Sequence, residues 1–263
     1  MKLVVLSLAV HLVAAAWLLF EFEDWPAVLA VLVANHVVLG AATLSPRGRW
    51  LGPNMVRAGP AVERGEICLT FDDGPDPEVT PRVLDLLDRH GAKASFFCIG
   101  ARAAAQPALV KEIARRGHSV ENHSHRHCHT FAFYGPARMR EEVDRAQATI
   151  ASITARAPAF FRAPAGFRNG LLEPVLASRG LCYVSWTRRG YDGVSSDAQR
   201  ILGRLLRGLA PGDVLLLHDS RKVVLEVLPS LLEAIEKRGW RCVSLPAGTQ
   251  RSSPARSLEE MER

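Results

Sequence analysis

Two adjacent carboxylates follow an apolar run that is typical of a β-strand, within the segment from Thr70 to Asp76. Asp72 and Asp73 precede a Gly-Pro pair, which favours a turn, so their side chains can point in different directions. One of them could bind a metal ion while the other accepts a proton. The alternatives are an Asx turn without chemistry, or a phosphatase with an aspartate nucleophile, which usually shows Asp-x-Asp rather than contiguous acids.

Histidines at alternating positions follow another strand-like run, at His123, His125 and His127. His123 and His127 are four residues apart and would share one face if the segment turned helically, a spacing that suits two ligands of one Zn²⁺ ion. His125 and His129 have the same spacing, so the spacing leaves both pairs open. A solvated histidine-rich loop is the alternative without chemistry.

Further candidates stand near the ends of later apolar runs. Arg162 can hold a carboxylate through a bidentate pair, although a lone arginine is more often part of a surface ion pair. His218 ends an apolar run, where a general acid is needed, although a lone histidine there is more often structural. Trp186 is most simply a residue of the core or of a groove wall, and Asp192 lies in the loop that follows it.

Short apolar runs alternate with amphipathic stretches through this part of the chain. The pattern predicts strands at 67–71, 94–99, 119–122, 160–162, 182–186, 214–218 and 241–244, and helices at 81–90, 106–116, 138–155, 171–179, 198–208 and 223–238. Glycines end four of these helices, where a left-handed cap favours that residue type. Repeated strand–helix units predict an α/β fold with a parallel sheet, open or closed into a barrel, whose strand ends bring the candidate residues together.

The N-terminal segment is apolar enough to cross a membrane twice. The runs 3–20 and 25–44 predict a transmembrane hairpin over residues 1–45. A cleaved signal peptide fits less well, because the second run follows the first after only a short acidic turn. His11, Asn35 and His36 lie inside the apolar runs and are expected to form hydrogen bonds between the two helices.

Charge and cysteine content favour a catalytic domain in the cytoplasm. Lys2 is the one basic residue before position 45, four arginines lie between positions 47 and 64, and the turn between the runs is acidic. The positive-inside rule therefore places both termini on the cytoplasmic side of the plasma (inner) membrane. The 5 cysteines are odd in number, which does not suit a disulfide framework. No basic helix with interleaved aromatic residues is present, so nucleic-acid binding is not expected.

In this order the motifs resemble those of the polysaccharide deacetylase family, the NodB-homology domain of carbohydrate esterase family four. They are TFDDGP at 70–75, NHSHRH at 122–127, RAPAG at 162–166, WTRRGYD at 186–192 and LLLHD at 215–219. The resemblance covers nearly all of residues 66–245. It implies a distorted (β/α)7-type barrel and a metal-dependent hydrolase that removes an acyl group from an amino sugar by cleaving a non-peptide carbon–nitrogen bond.

The resemblance also implies a metal site and a substrate wall. Asp73, His123 and His127 would bind a divalent metal, usually Zn²⁺, which decides between the two histidine pairs. A backbone N–H near Ala165 would stabilise the oxyanion, and Trp186 would contact the substrate. Family members often have tyrosine where this chain has Ala165, so its substrate is expected to be bulkier or differently seated.

Four residues carry the acid–base chemistry that the resemblance implies. Asp72 would be the general base, and Arg162 would orient it. His218 would be the general acid that protonates the leaving amine, while Asp192 would hold and tune its imidazole. Gly193 follows where many members have tryptophan, which weakens the case for a familiar polymer-binding groove.

These inferences divide the chain into a hairpin (1–45), a linker (46–65), the catalytic domain (66–246) and a flexible tail (247–263). We expect a membrane-anchored hydrolase that removes an acetyl or formyl group from an N-acylated amino sugar or glycan. A cytoplasmic domain would reach a lipid-linked sugar, whereas a periplasmic one would reach peptidoglycan or exopolysaccharide. A non-catalytic glycan-binding module is a third possibility, and the complete set of ligands, acid and base argues against it.

Overall fold

The computed structural model describes residues 2–246, which contain a curled parallel sheet flanked by helices. The strands are β1 (Glu66–Asp72), β2 (Ser95–Cys98), β3 (Ser119–Asn122), β4 (Phe160–Phe161), β5 (Cys182–Tyr183), β6 (Arg188–Arg189), β7 (Val214–His218) and β8 (Arg241–Val243). The α-helices are α1 (Lys2–Phe20), α2 (Trp25–Thr43), α3 (Gly59–Glu63), α4 (Thr80–Arg89), α5 (Gly100–Ala105), α6 (Pro107–Arg115), α7 (Pro136–Thr154), α8 (Leu172–Ala177), α9 (Ala198–Leu206) and α10 (Val224–Glu236).

The sheet runs in the order β5-β4-β3-β2-β1-β7-β6, and β8 pairs separately with β1. All of these strand pairs are parallel. The start of β1 pairs with β8 and its end with β2, while β7 lies on its other side. β5 and β6 are the two ends of the path, and each is only 2 residues long. The predicted α/β fold is thus confirmed, in the form of a curled half-barrel.

The central strands are buried along their whole length, which explains why their sequences are continuous apolar runs rather than alternating ones. Every residue of β1, β2 and β7 is buried. The largest core cluster includes the inward faces of α4, α6, α9 and α10. The glycines at 91, 117, 180 and 239 have positive φ angles, from 57° to 80°, so the predicted left-handed helix caps are confirmed.

Some elements differ from the sequence prediction. The two-residue strand β6 and the short helices α3 and α5 were not predicted. Strand β6 consists of two arginines and the helices contain mostly small residues, so neither has a clear hydrophobic periodicity. The predicted strand 182–186 forms ladder pairs only over Cys182–Tyr183, and Val184 makes a single bridge to Met55. Residues 46–65, predicted as a linker, contain α3 and bury Ala58 and Ala61 in the core. The predicted tail lies outside the described residues.

The helices α1 and α2 pass the length and composition test for membrane spans. The segments Leu3–Phe20 and Phe22–Thr43 have mean hydropathies of 2.5 and 1.8 and are only 17% and 11% buried within the protein. The amide of Asn35 donates a hydrogen bond to Ser7 Oγ at 2.9 Å, which confirms the predicted contact between the helices for this residue. The prediction is wrong for His11 and His36, whose rings bond to backbone carbonyls of their own helices. The start of α1 also reaches the globular domain, because Val4 packs directly against Gly170.

Candidate active site

The parallel register brings the candidate residues to one edge of the sheet. Asp72, the last residue of β1, pairs with His218, the last residue of β7. Asn122, at the end of β3, pairs with Phe161 at the end of β4. His123 and Arg162 are the next residues along these two strands. The carboxyl ends of parallel strands are where such folds place their chemical groups, and the sequence predicted this convergence.

Asp72 and Arg162 form a buried ion pair at the centre of this edge. The guanidinium Nη1 of Arg162 donates to Asp72 Oδ1 at 2.6 Å. The arginine is 0% exposed and the aspartate 4% exposed. The other carboxylate oxygen, Oδ2, lies 3.8 Å from His123 Nε2. One oxygen of Asp72 is therefore held by the arginine while the other faces the histidines.

A shell of acceptors fixes the Arg162 side chain. The guanidinium donates to the hydroxyl oxygen of Thr70 at 2.9 Å and to the carbonyl of Ser185 at 3.0 Å. Its carbon lies 4.1 Å from the centre of the Phe97 ring, a cation–π contact. A buried arginine is stable only when its donors are paired in this way. Arg162 is therefore held rigidly, and it can orient Asp72.

Asp73, His123 and His127 converge on one point beside this pair. Their ligand atoms all lie within 4.8 Å of one another. Asp73 Oδ1 is 3.4 Å from His123 Nε2 and 3.0 Å from His127 Nε2. Within residues 2–246, this buried oxygen has no hydrogen-bond partner. One carboxylate oxygen and two imidazole nitrogens thus approach one another without a hydrogen bond between them. This is the arrangement expected of three ligand atoms that share a cation.

The remaining ring nitrogen of His123 fixes the tautomer that a metal site needs. His123 Nδ1 donates to the Arg162 carbonyl at 2.9 Å, which leaves the lone pair of Nε2 pointing at Asp73. Burial raises the pKa of Asp73, but the two neighbouring imidazoles outweigh it and hold that pKa well below its usual range. The donors are thus a carboxylate and two imidazoles, a set that suits Zn²⁺.

The histidine segment forms a loop and not the helical turn on which the spacing argument relied. Ser124 and His127 both have left-handed backbones, with φ angles of 61° and 55°. The hydroxyl of Ser124 accepts from the backbone N–H of His127 at 3.1 Å, and Glu142 accepts from the N–H of His125 at 3.0 Å. The loop therefore brings His123 and His127 together, while His125 packs against Gly100.

Asp192 and His218 form a second buried pair on the other side of Asp72. Asp192 Oδ1 lies 3.0 Å from His218 Nδ1, and its Oδ2 accepts from the backbone N–H of His218 at 2.6 Å. Burial lowers the pKa of His218, but the hydrogen bond and charge of Asp192, with the nearby charges of Asp72 and Asp73, raise it above its usual value. A Cβ on Gly193 would lie 3.2 Å from the imidazole, so glycine leaves this ring uncovered.

Ala165 and Trp186 border the site. Ala165 lies in a 3₁₀ turn, Pro164–Gly166, with a φ of 54°, a conformation that costs free energy in a residue other than glycine. The ring of Trp186 lies so close to Gly166 that a Cβ there would be 2.4 Å away. The same glycine contacts Pro46, which follows α2. The end of the second apolar helix therefore leads directly to the wall of the site.

Asp219, the last residue of the LLLHD motif, is a buried carboxyl for which the sequence predicted no role. Its Oδ2 accepts from the Thr80 hydroxyl at 2.6 Å, and it packs against Gly74, where a Cβ would lie 2.3 Å from Oδ1. That Oδ1 has no hydrogen-bond partner among the described residues. Burial raises the pKa of Asp219 to about 7. Asp219 supports the loop that carries Asp73.

Comparison with known proteins agrees with this geometry. The profile of the family described as polysaccharide deacetylase matches residues 60–184. A chitooligosaccharide deacetylase from Bradyrhizobium sp. (strain ANU 289) is 34% identical in an alignment of 195 positions, which covers 68% of this chain and 89% of that protein. The chain belongs to the polysaccharide deacetylase family.

Other members of the family match over a similar part of the chain. A peptidoglycan-N-acetylglucosamine deacetylase of Bacillus cereus is 32% identical over 184 residues, covering 68% of this chain and 85% of that protein. The solved structure of a family 4 carbohydrate esterase from Streptomyces lividans, in complex with acetate, is 33% identical with a TM-score of 0.66 and covers 71% of this chain and 95% of the other. The chain described here is accordingly a hydrolase of carbon–nitrogen bonds, and its fold is that of carbohydrate esterase family four.

Sequence reasoning missed the residues that support this polysaccharide deacetylase site. Thr70 bridges Arg162 and the Leu215 carbonyl, to which its hydroxyl donates at 2.6 Å. A polar residue inside the otherwise apolar run 67–71 was the signal that could have identified it. Asn54 was also missed: it accepts from the Ser185 hydroxyl at 2.9 Å and so ties the segment after α2 to the site. Nothing in the sequence around Asn54 indicates that contact.

Proposed function

We propose that this protein is a membrane-anchored, zinc-dependent deacylase of an N-acylated amino sugar. One observation carries the proposal: Asp73, His123 and His127 converge beside Asp72, while His218 ends the neighbouring strand. Hydrolysis of an amide needs a polarised carbonyl, an activated water and a proton for the leaving amine. The geometry supplies a group for each of these needs.

Asp73, His123 and His127 would hold the metal ion. When bound, the ion would supply a Lewis acid for the acyl oxygen and lower the pKa of water towards about 7. The tautomer of His123 and the buried, unpaired Oδ1 of Asp73 support this assignment. Asp73 is 28% exposed at its side chain, so the ligand set is open to substrate on one side.

Asp72 is proposed as the general base. Arg162 occupies its Oδ1, so Oδ2 is the oxygen that accepts a proton from the attacking water. The arginine also fixes the direction of the carboxylate, because its own guanidinium is held by Thr70 and by the carbonyl of Ser185. General base catalysis by a positioned carboxylate contributes about 10²- to 10⁴-fold to the rate.

His218 is proposed as the general acid. Asp192 binds its Nδ1, which leaves Nε2 free to donate a proton to the leaving amine. The carboxylate also raises the pKa of the imidazole, which favours the protonated form that an acid requires. Because β1 and β7 end side by side, Asp72 and His218 can both reach the amide group of one bound substrate.

Ala165 and Trp186 complete the proposed site. The backbone N–H at Ala165 would stabilise the negative charge that develops on the acyl oxygen, and the left-handed turn sets its direction. Trp186 would form a wall against the sugar ring. The relatives named above act on chitooligosaccharide and on peptidoglycan N-acetylglucosamine, which supports an N-acetylated amino sugar as substrate.

The membrane anchor in this proposal is the hairpin of α1 and α2. Both helices are apolar on all sides and expose large side chains such as Leu6 and Val13 at 60% and 66%. Such surfaces are stable in lipid but not in water. Val4 and Pro46, near the outer ends of the hairpin, contact Gly170 and Gly166, so the catalytic edge lies beside the membrane boundary. A lipid-linked amino sugar is the substrate that this position favours.

The proposal is tested by deacylation with the full-length protein. Purified in detergent micelles and loaded with Zn²⁺, it is expected to release acetate from an N-acetylated chitooligosaccharide, and Asp72→Asn is expected to abolish the release while keeping the metal. The matched control is Asp85→Asn, an exposed carboxylate of α4 outside the site. Equal activity in wild type and Asp72→Asn would refute the assignment, and so would metal-loaded protein without activity on any N-acylated amino sugar.

A further inference from the structure

A cationic pocket of about 300 Å³ lies beside the catalytic centre and has no role in the proposed chemistry. Arginine side chains line it at positions 47, 188, 189 and 204, together with Trp186 and Tyr191. No carboxylate is among the described residues that line it. Arg188 pairs with Asp213, but the other three have no carboxylate partner among the described residues, and such a concentration of positive charge disfavours the pocket unless an anion occupies it.

The arginines of the pocket differ in how far the protein already uses them. Arg188 is committed, because it pairs with Asp213 at 2.8 Å and donates to the backbone carbonyls of Arg207 and Gly208. Arg189 is not: its Nε is buried and has no hydrogen-bond partner within the part of the chain that the structure describes. Arg188 therefore has a structural role, whereas Arg189 has a donor left for a ligand.

Arg189 and Arg204 are held by an aromatic side chain, and neither pairs with an acid within residues 2–246. Their guanidinium carbons lie 5.0 Å and 5.1 Å from the centre of the Tyr191 ring. Arg204 makes one long hydrogen bond, to the Gly190 carbonyl at 3.4 Å. Stacking on a ring orients a guanidinium while leaving its N–H groups available, which suits bidentate binding of a phosphate.

The position of the pocket indicates which phosphate it would bind. Trp186 joins it to the catalytic centre, because its ring lies 6.0 Å from the Arg162 guanidinium carbon and 5.3 Å from that of Arg189. Pro46 and Arg47, which also line the pocket, follow the end of α2. The pocket thus borders both the segment that leaves the candidate membrane helices and the catalytic residues. A lipid-linked sugar carries its phosphate in the same order, between the lipid and the sugar.

We propose that this pocket, with Arg189 and Arg204 as its anion ligands, binds the phosphate or diphosphate of a lipid-linked amino sugar whose acyl group reaches the catalytic centre. The inference rests on the proposed function and specifies its substrate class. Arg47, which is exposed at the end of α2, adds a third cation on the membrane side. Trp186 separates the phosphate from the sugar, with one contact to each half of the site.

Binding is measured in the catalytically impaired Asp72→Asn protein, in nanodiscs of zwitterionic phosphatidylcholine. The two probes are N-acetylglucosamine carried on a short polyprenyl diphosphate and a neutral N-acetylated chitooligosaccharide. Adding Arg189→Gln and Arg204→Gln is expected to weaken binding of the diphosphate probe about tenfold more than binding of the neutral probe. Arg200→Gln, an exposed arginine of the same helix as Arg204, is the control and is expected to change neither affinity.

Equal weakening of both probes, or of neither, would overturn the inference. The inference would also be overturned if the arginine variants lost affinity only in discs containing anionic phosphatidylglycerol, and equally for both probes. The pocket would then bind membrane headgroups. Deacylation by the wild-type chain is scored separately. If wild type turns over the neutral oligosaccharide and the arginine variants bind the diphosphate probe unchanged, this inference is refuted and the proposed function stands. If wild type shows no turnover and the arginine variants selectively lose binding of the diphosphate probe, the proposed function is refuted and this inference stands.

Discussion

Asp192 holds His218 at two points: one carboxylate oxygen lies 3.0 Å from Nδ1 of the imidazole, and the other accepts from the backbone N–H at 2.6 Å. The aspartate is completely buried, so this arrangement fixes both the tautomer and the orientation of the ring. A histidine held in this way donates from Nε2. The pair therefore links the pH dependence of the reaction to one buried carboxylate.

Asp192→Asn is expected to lower kcat about 10²- to 10⁴-fold and to move the alkaline limb of the pH profile. The pKa of His218 is raised above its usual value, so the protonated imidazole is present at lower pH and is lost as pH rises through the raised pKa. Removing the charge of Asp192 lowers that pKa, and the limb moves to lower pH. Profiles of kcat/KM check this, with Asp197→Asn, an exposed helix cap, as control. An unmoved limb would contradict the role of Asp192.

Metal content is expected to depend on His123 and His127 and not on the neighbouring histidines. His123→Ala and His127→Ala each remove one of three ligands, so bound Zn²⁺ measured by mass spectrometry should fall from one equivalent to a small fraction. Activity should fall with it, and a chelator should abolish the activity of wild type until Zn²⁺ is added. His129→Ala is the control. The centre of the His129 ring lies 5.7 Å from that of His127, but His129 is exposed and is not one of the three proposed ligands. Loss of metal in that variant instead would favour the other histidine pair.

Asp72 and Arg162 are expected to separate catalysis from stability. Asp72→Asn should lower kcat about 10²- to 10⁴-fold and cost less stability than Arg162→Ala, because the asparagine oxygen can still accept from the arginine, whose other donors stay paired. Arg162→Ala leaves the Asp72 charge buried without its partner, which should lower the free energy of unfolding by about 3–5 kcal/mol. Urea denaturation and steady-state kinetics measure the two effects. Arg200→Ala removes an exposed ion pair with Asp197 and should lower the free energy of unfolding by under about 1 kcal/mol. A similarly small decrease for Arg162→Ala would contradict the prediction.

The ends of the central strands could be predicted because burial on both faces produces long apolar runs with sharp limits. The predicted range 214–218 coincides with β7. The histidine pair could not be decided by spacing, because the left-handed residues Ser124 and His127 shape the loop and no local pattern encodes them. The contact between Thr80 and Asp219 joins residues that are 139 positions apart, and only the folded sheet brings them together.

Part of the candidate site depends on segments that have no regular pattern. Asn54 lies in the region predicted as a linker, yet its amide holds the carbonyl of Pro46 at 2.9 Å and its oxygen accepts from Ser185. Such contacts arise from irregular backbone, where sequence periodicity gives no signal. The adjacent arginines 188 and 189 differ in their contacts: Arg188 pairs with Asp213, whereas the Nε of Arg189 has no hydrogen-bond partner among the described residues. Their identical chemistry hides that difference in the sequence.

Asp219→Asn is expected to make the protein more stable at pH 8 and to change it less at pH 5. Burial raises the pKa of Asp219 to about 7 from the model-compound value of 3.8, so the folded protein binds an extra proton between these values. Stability from this group is complete below about pH 4 and falls as pH rises to about 7, by up to about 4 kcal/mol. Thermal unfolding of metal-free protein at both pH values tests this, with Asp76→Asn as control. Equal changes at pH 5 and pH 8 would show that the carboxyl does not titrate as described.

The hairpin is expected to place both of its ends, and the catalytic domain with them, in the cytoplasm. The acidic turn Glu21–Asp24 separates the two helices, while arginines 47 and 49 follow the second, and positive charge is retained on the cytoplasmic side. Reporters that are active on only one side of the membrane, fused after Trp25 and after the C-terminus, measure this. A cytoplasmic C-terminus would direct substrate trials to lipid-linked amino sugars. A periplasmic one would contradict the charge argument and direct them to peptidoglycan and exported polysaccharide. Arg47→Glu with Arg49→Glu removes two of the four arginines that follow the hairpin, and it should weaken the orientation preference if charge sets it.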